Sequence, residues 1–296
     1  MYLLFTHNLN RNNMNNSIDA ILSQYEKNTQ PAASGNKVSS EDRLKKYFTT
    51  ILPKGSTSGQ KRIRILPTKD GSSCFKEVEF HEIQVNGSWV KLYDPAQDGE
   101  RSPLNEVKKS LEATGDETDR QIARNYRARK FYIVKVIDRD NEQDGPKFWR
   151  FKHNYKGDGP LDKIIPIIRS KGDVTDILEG RDLILSLTLN KAPNGREYTT
   201  INSIIQDDKT PLHTDSEIAN EWANDDTTWR DVYSVKPIEY LEMVALGEVP
   251  VWDTEAKKYV SKSESETDFG GSAPLKANVP VEDPQVSQEV DDDLPF

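Results

Sequence analysis

The chain has 296 residues, a net charge of −9 and a hydrophobic fraction of 34%. That fraction lies below the roughly 45–50% usual for globular domains, so we expect one or two folded domains together with segments outside a packed core. The only cysteine, Cys74, excludes an intramolecular disulfide and a cysteine-based zinc site, and no apolar run approaches the roughly 18 residues of a membrane span. We therefore expect a cytoplasmic protein with no membrane partner, no metal and no other cofactor.

The charge is unevenly distributed along the chain. Residues 36–206 carry a net charge of +6, whereas residues 207–261 carry −8 and residues 262–296 carry −7. A polyanionic ligand requires a positive surface, and an acidic segment of the same chain can compete for it. The sequence therefore predicts four parts, which are an N-terminal arm (1–35), a basic core (36–206), an acidic, partly helical extension (207–260) and a disordered acidic tail (261–296).

The N-terminal arm contains one short amphipathic segment. Residues 17–27 begin at Ser17, a favourable N-cap, and place four apolar side chains at helical spacing. A helix this short needs a surface on which to bury its apolar face. It therefore packs either on its own domain or on a neighbouring molecule, and the second alternative predicts self-association along a bound ligand. Met14 offers a second possible start of the chain.

The basic core shows the alternation of polar and apolar residues that is typical of short strands. Asn86-Gly87 is a strong signal for a type I′ hairpin, and a helix over residues 161–171 precedes the last hairpin. These features favour a mainly β fold built on an OB-type barrel with inserted helices, and a β-sandwich is the alternative. The predicted strands cover residues 47–52, 61–66, 75–80, 82–85, 88–93, 131–137, 147–152, 183–189 and 198–205.

One predicted strand presents two arginines side by side. Side chains alternate between the faces of a strand, so Ile63 and Ile65 enter the core while Arg62 and Arg64 share the opposite face. Such a pair suits phosphates spaced along a nucleic-acid strand, although paired surface arginines are more often simply solvated.

Basic and aromatic residues also alternate in two later elements. A predicted helix over residues 119–129 carries the densest positive cluster of the chain, and the strand 147–152 is both aromatic and basic. Bases stack on aromatic rings and guanidinium planes while cations follow the phosphates, although an aromatic strand is more often part of a core. The candidate nucleic-acid-binding residues are Arg62, Arg64, Trp89, Tyr126, Arg127, Arg129, Lys130, Tyr132, Trp149, Arg150, Lys152 and Tyr198.

The chain ends on a run of carboxylates followed by an apolar tip. The ring and terminal carboxylate of Phe296 suit a pocket with a basic rim, which predicts a peptide that docks on partner proteins. The tip resembles that of bacterial single-stranded DNA-binding proteins, and this implies recruitment of replication and recombination proteins such as a polymerase, helicase or primase. Its residues are Asp291, Asp292, Asp293, Leu294, Pro295 and Phe296.

Several motifs of the core occur in a recognisable order. They are Gly35-Asn36-Lys37, Ser39-Ser40-Glu41-Asp42, Ile63-Arg64-Ile65-Leu66-Pro67, Phe131 to Asp140, Trp149-Arg150-Phe151 and Leu161-Asp162-Lys163-Ile164. Together they resemble the helix-destabilising, single-stranded DNA-binding proteins of T-even-like phages. The resemblance implies an OB core, places Arg64 and the pair Trp149 and Arg150 in a DNA cleft, and assigns residues 126–130 to a basic, aromatic segment.

One feature departs from that family. Its members insert a zinc ribbon, with one histidine and three cysteines, after the second hairpin. His81 stands at a comparable place, but residues 94–105 contain no cysteine. Zinc requires about four suitable ligands, so we expect this region to be held by packing or to be remodelled.

The leading functional hypothesis is sequence-nonspecific binding of single-stranded DNA, which would protect single strands in replication, recombination and repair, in the host cytoplasm if a phage encodes the protein. A metal-dependent nuclease is disfavoured, because a disordered terminus cannot hold carboxylates at fixed geometry. The four scattered histidines and the lack of a Gly-rich phosphate loop likewise indicate no enzyme. The remaining alternative is an OB-fold recombination or replication adaptor that acts mainly through protein contacts.

Overall fold

The computed structural model describes residues 45–193, 195, 197–233 and 235–263. The predicted N-terminal helix over residues 17–27 and the C-terminal tip over residues 291–296 lie outside this range. So does nearly all of the predicted tail.

The described residues form antiparallel strands joined by short helices. The strands are β1 (Ser58–Ile65), β2 (Lys76–Val85), β3 (Ser88–Tyr93), β4 (Ala128–Asp138), β5 (Pro146–Lys152), β6 (Arg181–Lys191), β7 (Glu197–Lys209), β8 (Pro250–Asp253) and β9 (Lys258–Ser261). The α-helices are α1 (Pro103–Ala113), α2 (Glu117–Asn125), α3 (Pro160–Lys171), α4 (Ser216–Ala223), α5 (Trp229–Val232) and α6 (Ile238–Ala245). Short 3-10 helices cover Pro95–Asp98 and Glu142–Asp144.

Seven strands form one antiparallel sheet in the order β3-β2-β4-β1-β6-β7, and β5 pairs with the opposite side of β4. The predicted mainly β fold is confirmed. The closed barrel is wrong for the residues that the structure describes, because no pairing joins β3 to β7 and the sheet is open. Helix α3 contacts β7 and places Ile164 and Ile167 in the core.

The sheet is covered on both faces. On one face, Trp149 has no exposed surface and meets the ring of Phe48 edge-on, with 5.7 Å between ring centroids. On the other face, Phe80 and Phe131 pack with Tyr233. Each fully buried side chain of this size contributes roughly 1.5–3 kcal/mol. Strand β5 lies between the two layers, which explains why the side chains on both of its faces are buried.

The acidic extension is part of this packing. Trp222 of α4 packs with Leu66 next to β1, and Leu241 of α6 packs with Leu104 of α1. Helices α4 and α6 both lie within the extension that was predicted to be partly helical. The acidic segment therefore completes the core of the basic segment.

Two local predictions had different outcomes. Asn86 and Gly87 have φ angles of 51° and 77°, as the type I′ hairpin requires, so that prediction is confirmed. The predicted helix over residues 119–129 instead ends at Asn125, and β4 begins at Ala128. The cations at its C-terminal end are therefore presented by a loop and a strand. Within the part of the chain that the structure describes, no helix combines the length and apolar character needed to span a bilayer.

Candidate nucleic-acid interface

A groove of about 670 Å³ opens where the ends of β4 and β5 approach the β6–β7 hairpin. Its walls come from strands that are distant in sequence, and β1 separates β4 from the β6–β7 hairpin in the sheet order. The charged lining is mainly basic, with only two carboxylates among the described residues. The cations are Lys91, Arg127, Arg129, Lys130, Lys152 and Lys156, and the carboxylates are Glu82 and Asp158.

Three of the groove cations form ion pairs. Nζ of Lys152 lies 2.6 Å and Nε of Arg129 lies 3.1 Å from the same carboxylate oxygen, Oε2 of Glu82. Lys130 donates to Glu77 over 2.6 Å, and this hydrogen bond raises the pKa of Lys130 above its ordinary value. These pairs hold the cations at the groove wall.

Two further cations are directed to solvent. The side chains of Arg127 and Lys156 are exposed and form no ion pair with any residue that the structure describes. They are therefore available to an anionic ligand without first giving up an ion pair within the described part of the chain.

Aromatic rings line the groove beside these cations. Tyr155 keeps 71% of its surface exposed, and its ring meets that of His153 edge-on at 4.4 Å. Tyr132 lies behind His153, with 3.2 Å between its hydroxyl and Nδ1 of His153, and the Tyr132 ring packs on Phe151 at 5.7 Å. We call these four residues the aromatic ladder. It connects the buried core to an exposed ring that can stack on a base.

The structure brings six of the residues predicted from sequence together at this site. Five of them line the groove, and Tyr132 stands behind it in the aromatic ladder. Those that line it are Arg127, Arg129, Lys130, Lys152 and Tyr198.

The prediction for Arg64 is wrong, because Arg64 is fully buried. Its Nη1 lies 3.0 Å from Oδ1 of Asp182, and its Nη2 donates to the backbone carbonyl of Thr210. Burial lowers the pKa of the guanidinium below its ordinary value. Its neighbour Arg62 is exposed but pairs with Asp207 at 2.9 Å and does not line the groove.

The predictions for Trp149 and Arg150 are also corrected. Trp149 belongs to the core, and its indole has no surface on which a base could stack. Arg150 is 5% exposed, and its guanidinium lies 4.5 Å from the ring centroid of Tyr233, which covers it. The two side chains point to opposite faces of β5, and each face is covered by its own core layer.

The two remaining predicted residues lie outside the groove lining. Tyr126 packs against the cluster that contains Leu92 and Leu104, and burial raises the pKa of its hydroxyl. Trp89 is 55% exposed on β3, on the same strand face as the groove residue Lys91. Trp89 therefore extends the surface of the groove without lining it.

The region that would carry a zinc ribbon is held by hydrogen bonds. His81 is buried, with Nδ1 at 2.8 Å from the carbonyl oxygen of Tyr126 and Nε2 at 3.4 Å from Oδ1 of Asp94. Asn105 donates to the other oxygen of Asp94 over 2.7 Å. Within the described ranges, no group of three or more potential metal-ligating side chains converges.

Besides Glu82, sequence reasoning missed four accessible groove residues with a cationic or aromatic side chain. Lys91 was not singled out because it lies in an otherwise ordinary hairpin strand. The others follow β5 in the segment Lys152-His153-Asn154-Tyr155-Lys156, which interleaves cations and rings. The same signal had been recognised in residues 119–130, so it could have identified His153, Tyr155 and Lys156. No known protein-family model matches the chain, and a search of curated proteins finds no significant similarity.

Proposed function

We propose that the protein binds single-stranded DNA without sequence preference and that the groove is its binding site. The observation that carries this proposal is the convergence of exposed cations with an exposed aromatic ring at the end of β5. Arg127 and Lys156 would contact phosphates while Tyr155 stacks on a base. Neither type of contact reads base identity, which accounts for the lack of sequence preference.

The aromatic ladder favours a single strand over a duplex. The ring of Tyr155 can stack only on a base whose face is accessible, and such bases are scarce within an intact helix. Stacking on one aromatic side chain contributes about 1–3 kcal/mol per base. A duplex would be left with the phosphate contacts alone, so its affinity should be lower.

The wider biological proposal follows the sequence resemblance. OB folds are partly open Greek-key barrels, and the open sheet with α3 inserted before its last hairpin supports a relationship to that class. We propose a role in protecting phage single strands during replication, recombination and repair, in the host cytoplasm. The tip over residues 291–296 would recruit replication and recombination proteins, and the N-terminal arm would link neighbouring molecules along the strand.

Fluorescence anisotropy with a labelled thymine homopolymer tests this function. A strand of about 20 nucleotides exceeds the roughly 4–16 nucleotides that one OB-sized site covers. We expect binding to the homopolymer, weaker binding to a duplex of equal length, and an affinity that falls steeply with salt as counterions are released. Binding to neither nucleic acid would reject the proposal and favour the protein adaptor.

A further inference from the structure

Glu82 is a carboxylate within a basic groove. Its Oε2 accepts hydrogen bonds from Lys152 at 2.6 Å and is paired with Arg129 at 3.1 Å. Its side chain is 21% exposed to solvent, and the side chains of Lys152 and Arg129 are 18% and 39% exposed. All three groups are therefore partly accessible to a ligand.

The sheet register explains why these groups meet. Glu82 lies two residues beyond Phe80, which pairs with Arg129, and directly opposite Lys91 on β3. Lys152 pairs with Phe131 on the other side of β4 and shares this face. Three cations from three strands thus share one face of the sheet with this carboxylate, and two of them contact it.

A phosphate oxygen would make the same contacts. Charge-assisted hydrogen bonds from lysine or arginine to carboxylate and to phosphate have similar lengths, about 2.7–2.9 Å. Glu82 Oε2 therefore stands where a non-bridging oxygen of a nucleic-acid backbone would best be bound. A phosphate can reach Lys152 and Arg129 only by displacing Glu82 or by sharing the two cations against its charge.

We propose that Glu82 competes with backbone phosphates for Arg129 and Lys152 and thereby sets how much of the binding affinity comes from phosphate contacts. This inference rests on the proposed function and names a specificity-determining residue for it. While Glu82 occupies these two groove cations and offsets one of their charges, binding depends more on stacking at the aromatic ladder. That dependence selects strands with accessible bases over duplexes, which offer phosphates alone.

Removal of the Glu82 charge should strengthen binding in a measurable way. A carboxylate about 6 Å from a phosphate repels it. At an effective dielectric constant of about 40, this repulsion lowers the binding affinity by about tenfold. Each freed cation that neutralises a phosphate adds about 0.7 to the slope of log affinity against log salt for a single strand. One carboxylate offsets only one of the two positive charges, so its removal should steepen that slope by about 0.7.

The test uses the full chain with Glu82→Gln, which keeps the side-chain shape and removes the charge. Glu179→Gln is the matched control, because Glu179 also pairs with a lysine, Lys209, at 2.6 Å but does not line the groove. Affinity for the thymine homopolymer and for a duplex is measured over a salt series. Elution from heparin, a polyanion without bases, is measured in parallel.

We expect Glu82→Gln to bind the homopolymer roughly tenfold more tightly at low salt. It should also gain more affinity for the duplex than for the homopolymer, and elute from heparin at higher salt. Glu179→Gln should match the wild type. Glu82→Thr, a residue well suited to a half-buried strand, replaces the glutamine variant if chemical denaturation shows that the latter is unfolded.

Two other outcomes are distinguishable. If the wild type binds the homopolymer and Glu82→Gln binds equally or more weakly, the inference is overturned, and weaker binding would mean that Glu82 positions the two cations. If the wild type does not bind the homopolymer, the proposed function fails. Elution of Glu82→Gln from heparin at higher salt would then still support competition between Glu82 and an anion for Arg129 and Lys152. Unchanged elution would overturn that competition.

Discussion

Arg64 and Asp182 form an ion pair inside the protein, with 3.0 Å between Nη1 and Oδ1. Arg139 approaches the other oxygen of Asp182, with 3.0 Å between Nε and Oδ2. Arg64 lies on β1 and Asp182 lies on the neighbouring strand β6. The pair therefore links these two strands at a buried position of the sheet. An arginine expected to contact DNA is therefore a structural residue.

Arg64→Ala should destabilise the fold and leave DNA affinity unchanged. Loss of the only partner of a buried charge lowers the free energy of unfolding by about 3–5 kcal/mol. Arg139 still neutralises Asp182 in this variant, so we expect a smaller loss of about 2–3 kcal/mol, which comes from the lost charged hydrogen bonds. Arg62→Ala is the control, because its exposed pair with Asp207 should contribute about 0–1 kcal/mol. Chemical denaturation gives both values, and a weaker DNA affinity of folded Arg64→Ala would contradict the structural role.

Tyr155→Ala should weaken binding to the thymine homopolymer without affecting the fold. The Tyr155 ring is exposed, so its loss removes a stacking platform that contributes about 1–3 kcal/mol, or roughly 5-fold to 150-fold in affinity. Tyr155→Phe keeps the ring and should bind as the wild type does. Trp252→Ala removes another exposed ring, from β8 and outside the groove lining, and should also have no effect. Equal affinities of all three variants would remove Tyr155 from the binding site.

The strand pattern was predictable from sequence, and the position of most strands within the sheet was not. Alternation in Ile63 and Ile65 identified β1 and its core face, and both side chains have no exposed surface. Alternation does not show what covers the opposite face, however. Residues 207–263 cover much of it, and their acidic composition gave no indication that Tyr233 would pack over Arg150.

The same limit explains which site residues were found. Arg127, Arg129 and Lys130 are adjacent in sequence, so a local cluster of charge revealed them. The groove also depends on Glu82, which β2 brings next to β4, and on Tyr198, whose strand β7 is not a neighbour of β4 in the sheet. Long-range pairing of this kind leaves no local pattern in one sequence.

Arg127→Ala combined with Lys156→Ala should reduce the salt dependence of binding. Each of these exposed cations that contacts a phosphate contributes about 0.7 to the slope of log affinity against log salt, so the double variant should lower the slope by about 1.4. Arg169→Ala with Lys171→Ala removes the same charge from the far end of α3, outside the groove lining, and serves as the control. Equal slopes for both double variants would show that charge in general, and not this groove, determines binding.

Asp94 should make the stability of the fold depend on pH in the acid range. Burial alone raises the pKa of its carboxyl, but the adjacent His81 side chain and hydrogen bonds from Ser102 and the backbone of Ala96 outweigh burial and hold the pKa below its ordinary value of 3.8. A carboxyl with a depressed pKa in the folded state stabilises the protein above its unfolded pKa, and that stabilisation is lost as the pH falls through the folded pKa.

Asp94→Asn turns one oxygen into a donor, so it should lower the free energy of unfolding by about 1–3 kcal/mol at pH 7. This difference in stability from the wild type should narrow only below pH 3.8. Chemical denaturation of Asp94→Asn, the wild type and the exposed control Asp208→Asn between about pH 7 and 3 measures this, since other carboxyls cancel in the comparison. A difference that stays constant to the lowest pH would show that Asp94 acts through shape and not through its charge.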